Sequence, residues 1–364
     1  ILAVAPTMLS ETQARWLVVG LLVGGVGQAA LGLYQFVNQI GPDWFIVLGR
    51  FMRASGSFGQ PNPYAGYLGL CLPVAVSLAI WAWGQSWLGP VGHNPTETAS
   101  WRRRLIHLAP TLFYSAASAM LLAGILASWS RGAWLGVAAG LITVVALRSR
   151  AALAASGVVF LLALIGLLFG SFQPQIVPQP VAERLVHLPA YFGLTDVLNQ
   201  PVTDENFSVM ERIAHWVAAL RMWEQAPWLG VGPGNYAAIY PTVRLPRWEE
   251  ALGHAHNIYL NVLAETGVLG LAAYLLLWGG AILWTWRMFR HAASRSYTGA
   301  LAIGILGVLA HLSIHNLFDN LFVQGIYLHV ALLFAALMSS ATVGAAKGKK
   351  VEVEESTYPL LNSL

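Results

Sequence analysis

The residues best suited to chemistry in this chain are histidines and arginines placed at the ends of apolar segments. Gly253-His254-Ala255-His256-Asn257 closes a polar stretch, after which the sequence turns apolar with Gly267 and Gly270 at fixed offsets. An imidazole at the start of a membrane helix lies beside unpaired backbone N–H groups and the positive end of the helix dipole, which disfavour a further positive charge. A neutral imidazole is what a general base requires; the alternative is a histidine that merely hydrogen-bonds a helix end. His254 with His256 also permits a metal ion. Two ligands in one turn, with only Glu249 and Glu250 nearby, make a weak zinc pattern, and no metal is expected. Alternation along an extended turn points His254 away from the side that His256 faces.

Cations gather at the same kind of boundary. Arg53 precedes Ser55-Gly56-Ser57-Phe58 and Pro61-Asn62-Pro63, and Arg131 sits in Ser128-Trp129-Ser130-Arg131-Gly132-Ala133. Arg212 and Arg221 fall on one predicted surface helix. An arginine against a membrane span is costly unless it meets an anion or snorkels to the interface. Guanidinium forks match diphosphate, and several of them on the histidine's side point to an anion site. Arg244 and Arg247 read as solvated. Glu265 lies nine residues past His256, about 13 Å along a helix, where a carboxyl needs a partner or a proton. His315 and Asp319 straddle the last external turn, in a position to face His256. Gly230-Val-Gly-Pro-Gly-Asn235 is no dinucleotide loop, because no strand precedes it and Pro233 lacks a donor. It reads as a turn feeding a short helical segment capped by Asn235.

The elements that must hold these residues are membrane helices. The chain is 57% hydrophobic and only 10% charged, which excludes an ordinary soluble domain. Apolar windows long enough to cross a bilayer recur at 15–37, 63–83, 108–128, 132–147, 151–171, 257–286, 297–315 and 321–341, the fourth being short. The expected fold is an all-α polytopic bundle of about eight spans. Residues 1–9 resemble the end of an earlier apolar segment, so further helices are expected upstream. Arg15, Arg102-Arg103-Arg104, Arg148, Arg150, Arg287, Arg290, Arg295 and the only lysines, Lys347, Lys349 and Lys350, share one side, which the positive-inside rule makes cytoplasmic. The small basic excess is thus a membrane signature and gives no reason to invoke nucleic acid. Cys71 stands alone, leaving no disulfide or cysteine metal site.

Four regions follow: N-terminal spans in 1–171, an external loop in 172–255, C-terminal spans in 256–342 and a disordered cytoplasmic tail in 343–364. Within the loop, 172–207 is Pro- and Gln-rich and reads as irregular. Ser208 and Glu211 form a capping box that starts a helix running to about Gln225, stopped by Pro227 and Gly230. Its stripe of Ile213, Trp216, Val217, Leu220 and Trp223 is expected to rest on the membrane or the bundle.

Taken in order, these motifs resemble the O-antigen ligase and O-antigen polymerase family, over about 53–320. They are Arg53-Ala-Ser-Gly56 with Phe58-Gly-Gln-Pro-Asn62, Ser128-Trp-Ser-Arg131-Gly-Ala133, and Arg212 with Trp216. Pro227-Trp-Leu-Gly-Val-Gly-Pro-Gly-Asn235, Tyr240-Pro241, and His256-Asn257 followed after nine residues by Gly267-Val-Leu-Gly270 complete the set. The resemblance implies transfer of a glycan from an undecaprenyl-diphosphate carrier to a lipid- or protein-linked hydroxyl, at the external face of the bacterial plasma membrane, with inversion and without metal or cofactor. It implies His256 as base and Arg131, Arg212 and Arg53 as diphosphate ligands. Arg221 joins them as a candidate, with Asn257, Glu265, His254, His315 and Asp319 in support. The alternatives are an O-antigen polymerase, a protein O-oligosaccharyltransferase or, in another class, a bicarbonate transporter whose helix-end arginines line an anion path.

Overall fold

The computed structural model describes residues 9–47, 49–88, 101–149, 151, 154, 201–203, 206–293 and 295–357, with backbone alone for 101–107 and 342–357. Helix α1 (Glu11–Val37) starts on a capping box formed by Ser10 and Gln13. A two-stranded antiparallel hairpin, β1 (Ile46–Val47) with β2 (Phe51–Met52), leads to α2 (Pro61–Leu88), α3 (Trp101–Ala127) and α4 (Arg131–Ala146). After the undescribed stretch come α5 (Phe207–Gln225), α6 (Tyr236–Val243), α7 (Ile258–His291), α8 (Tyr297–His315) and α9 (Ile326–Thr357).

Helices α1, α2, α7 and α8 and residues 108–127 of α3 are long and apolar enough to cross a membrane; α4 and Ile326–Ala341 are shorter apolar helices. The protein is an all-α, multi-pass membrane protein. The span expected at 151–171 and the irregular stretch expected over most of 172–207 lie largely outside the described residues, as do residues 1–8. Helix α9 continues through Thr357, into the segment read from sequence as a disordered tail.

Helix α2 is the centre of the bundle, packed on α3, α4 and α8. Small residues permit the close approach expected between membrane helices. A Cβ at Gly140 of α4 would stand 2.7 Å from the Gly307 carbonyl of α8, and Pro73 of α2 packs against both glycines. By contrast, only 6% of the apolar window of α7 is buried among the described residues. Hydrogen bonds identify the two ends of the bundle. At one, Trp81 and Gln85 donate to the Arg295 carbonyl. At the other, Arg53 Nε donates to the Ser128 carbonyl at 2.8 Å.

The long span expected at 257–286 is interrupted. Gly267 adopts φ 66°, ψ −169° inside α7, and the turn at 227–232 crosses the break. Val231 and Gly232 donate to the carbonyls of Ala264 and Glu265, while Val268 donates to that of Pro227, each at 2.9 Å. A side chain at Gly230 or Gly267 would collide with the opposing backbone. That backbone contact, and not a phosphate, is what the glycine-rich loop serves.

Candidate active site

Three arginines from three separate elements line one cavity. Arg53 follows β2, Arg131 opens α4 and Arg212 lies on α5; Asn62, Trp129, Ser208, His315, Phe318 and Asp319 complete most of the wall. The two arginines of α4 and α5 meet on a single residue. Arg131 Nη2 donates to Ser208 Oγ at 2.9 Å, and Arg212 Nη1 donates to the Ser208 carbonyl at 2.7 Å. Arg212 Nε also holds the Phe318 carbonyl at 2.9 Å, and Arg53 Nη2 holds Asn62 at 3.0 Å. These bonds aim the guanidiniums into the cavity, and Arg131 enters through a turn in which Ser130 caps α4.

Arg221 is not part of this group. It lies more than two turns further along α5 and donates to the Val243 carbonyl at 2.9 Å, closing the C-terminus of α6. The expected capping box is also absent: α5 begins at Phe207 with Asn206 at the cap, and that side chain makes no capping bond. Asn206 turns back to accept from Thr203 N–H at 2.8 Å, which leaves Ser208 to accept from Arg131. The face that α5 buries is made of Val209, Met210, Ala214, His215, Ala218, Ala219 and Met222. The large apolar stripe expected to make the contact is only half-buried, because small residues allow α5 to approach its neighbours more closely.

His256 sits at the edge of the cavity. Its Nδ1 is 3.5 Å from Asp319 Oδ1, and Asp319 lines the cavity itself. Both ring nitrogens are buried without a hydrogen-bond partner among the described residues. A buried polar atom left in that state costs about 1–3 kcal/mol, so the ring is ready to bond an incoming group. Asn257 caps α7 through Leu260 N–H at 3.0 Å and donates to the Leu317 carbonyl at 3.0 Å. That residue therefore ties the base-bearing turn to the loop that carries Asp319. The turn is not extended, since His256 has φ 50°. The His254 ring accordingly packs 4.4 Å from that of His256 instead of pointing away, and its Nδ1 accepts from His256 N–H at 3.0 Å. His315 lines the same cavity.

Glu265 serves the site from below. Its Oε1 accepts from Tyr236 N–H at 3.0 Å, so this carboxylate, and not Asn235, caps α6. Asn235 occupies the cap position but donates to the Val231 carbonyl. The partner expected for a carboxyl at that depth is thus a helix N-terminus.

Burial shapes the site's charges. Burial would raise the Asp319 carboxyl, but its contact with His256 and the charge of Arg212 outweigh that and hold it below the ordinary carboxylate range. Burial, opposed by His256 and Arg212, leaves Glu211 raised. Burial and then the neighbouring His256 depress His254 to about 4, and burial with His256 and His254 depresses His215 to about 3. His215, with Tyr236 and Tyr240 around it, is the part of the site that sequence reasoning missed. The available signal was its place three residues beyond Arg212 on the same helix.

His254, His256 and Asp319 are also the group among the described residues able to hold a metal ion, with ligand atoms within 4.8 Å of one another. One nitrogen of His254 already accepts a backbone N–H.

Fold and site together define a multi-pass membrane protein with three arginines and a histidine–carboxylate pair gathered at one end of its bundle. Residues 116–275 match the family model described as O-antigen ligase. The match includes Arg131, Arg212 and His256; Arg53 and Asp319 lie outside it and are brought to the same place by the fold. No curated protein matches the chain. The match supports an enzyme of O-antigen ligase or polymerase type.

Proposed function

We propose that this protein transfers a glycan from an undecaprenyl-diphosphate carrier to an acceptor hydroxyl at the periplasmic face of the bacterial inner membrane, acting as a ligase. The observation that carries the reading is the convergence of Arg53, Arg131 and Arg212 on a cavity whose wall includes Asp319, the neighbour of His256. Diphosphate is a good leaving group once its charge is met, so the site needs cations rather than an acid. The hydroxyl is the weak partner and needs a base.

In this reading Asp319 orients His256 through Nδ1 and stabilises the imidazolium, which leaves Nε2 to take the proton. The acceptor oxygen bonds to the anomeric carbon as the bond to the diphosphate oxygen breaks. The electron pair leaves with the carrier and the proton goes to His256, so configuration inverts. The reading uses no metal and no nucleotide. Residues 172–255 form its external loop, between the membrane regions 1–171 and 256–342, and 343–364 is its cytoplasmic tail.

The test is carrier-linked glycan transfer by the purified chain in detergent, with saccharide-lipid, growing-glycan and protein acceptors in parallel and His256→Ala as control. Turnover on the lipid acceptor supports the ligase. Preference for the growing glycan or for protein moves the reading to polymerase or protein glycosylation. Absence of turnover on all three, with anion flux in vesicles, would favour the transporter.

A further inference from the structure

We propose that His215, held by Tyr236 and Tyr240, is a positioning residue that forms the wall against which the His256 ring is held beside Asp319. The proposal rests on the reading of His256 as the base.

His215 is 1% exposed, and its ring and backbone both meet one phenol. The Tyr236 hydroxyl donates to the His215 carbonyl at 3.1 Å and stands 3.0 Å from His215 Nδ1. On the other ring nitrogen, Nε2 faces the Tyr240 hydroxyl at 3.5 Å. The Tyr240 ring stacks on the imidazole at 4.6 Å and 14°, and the Tyr236 ring lies beside both, 6.1 Å from His215 and 5.8 Å from Tyr240. The result is an imidazole whose position is fixed from its nitrogens and one face.

His256 meets this fixed ring edge to face, with centroids 5.7 Å apart at 82°. His254 stands on another side at 4.4 Å, and Asp319 is at 3.5 Å. The His256 backbone is left-handed, a conformation that an L-residue keeps only where its surroundings hold it. A flat, uncharged wall suits a base that becomes cationic, since a second positive charge there would oppose proton uptake. The clamp itself is anchored, because Glu265 caps the helix that bears both tyrosines. The titratable and charged groups facing this cluster are His254 and His256 before α7, Asp319 and Arg212 across the cavity, Glu211 one turn earlier on α5, and Tyr236 and Tyr240 of α6.

The test compares Tyr236→Phe and His215→Phe in the full chain, measuring kcat, donor KM and the thermal unfolding midpoint. Tyr236→Phe removes the hydroxyl that holds the His215 ring, so the ring can turn. The expected result is a kcat lowered about tenfold with donor KM unchanged. His215→Phe keeps a ring but not its bond to Tyr236, so kcat falls by a similar factor, again with donor KM unchanged. Wild-type kcat in Tyr236→Phe would overturn the proposal. So would equal loss of kcat and donor affinity in both variants together with a lowered unfolding midpoint, the mark of a merely structural cluster. Failure of the underlying reading is separable: it shows as wild-type turnover by His256→Ala, whatever these two variants do.

Discussion

His256 Nδ1 lies 3.5 Å from Asp319 Oδ1, and the carboxylate belongs to the arginine-lined cavity while the imidazole stands at its edge. One carboxylate thus couples a group that can take a proton to the place where cations gather. Asp319 is also held in the loop by its own contact, accepting from Asn320 N–H at 2.8 Å. Asp319→Asn keeps the shape and removes the charge that stabilises an imidazolium. We expect transfer to fall by about 10²-fold or more, within the range set by general-base loss, while carrier binding in a pull-down changes little. Equal losses of rate and binding would place Asp319 in the anion clamp instead.

The arginines separate from that pair by what they do to binding. Arg131→Ala and Arg212→Ala should each weaken binding of the lipid diphosphate by about 10-fold or more, as loss of a charge-assisted bond predicts. Arg212→Lys should fail to restore it. Arg212 uses Nε for the Phe318 carbonyl and Nη1 for the Ser208 carbonyl, two directions that an ammonium cannot hold in one plane. Arg221→Ala should leave binding unchanged. Equilibrium binding of a carrier diphosphate to the four variants measures this.

Gly267 carries a structural prediction. Gly267→Ala puts a Cβ against the Trp228 backbone at a positive φ, which costs about 1–3 kcal/mol for the conformation alone and more for the collision. The unfolding midpoint should drop clearly, and transfer should drop with it, because α6 is seated through Glu265 on the near side of the break. An Ala variant as stable as wild type would mean that the crossing of 227–232 over α7 is dispensable.

Acid sensitivity follows from the two depressed histidines. Both titrate lower in the folded chain than in the unfolded one, where the value is about 6.5. As pH falls the unfolded state takes up protons first, so the stability they contribute is complete above about 6.5. It is lost as pH falls to about 4 for His254 and about 3 for His215. The unfolding midpoint in detergent should decline over that window, and His254→Ala should flatten the decline. A midpoint that rises on acidification would contradict the burial of both rings.

Glu211 runs the other way. Its carboxyl is raised, so the charged form is the costly one and the penalty is fully present once pH exceeds the folded value. Glu211→Gln should stabilise the chain at neutral pH, and the gain should vanish on acidification. A stability loss at neutral pH would show that the carboxylate makes a needed bond.

The helices and the boundary arginines were legible from sequence because both follow from local rules: runs of apolar residues and the cost of a charge beside lipid. What could not be read locally was set by contacts across the fold. Ser208 resembles an N-cap until Arg131 claims its hydroxyl, and Glu265 resembles an orphan in the membrane until Tyr236 N–H meets it. His254 was misdirected by assuming an extended turn, which the left-handed backbone of His256 abolishes. His215 sat between apolar residues whose size drew attention away from the smaller face that packs.

The most direct test of the account is single-turnover transfer by His256→Ala, with carrier binding measured on the same preparation. The account predicts a loss of about 10²–10⁴ in rate with carrier affinity close to wild type, because binding rests on Arg53, Arg131 and Arg212. Wild-type turnover by His256→Ala with an authentic donor and acceptor would contradict it.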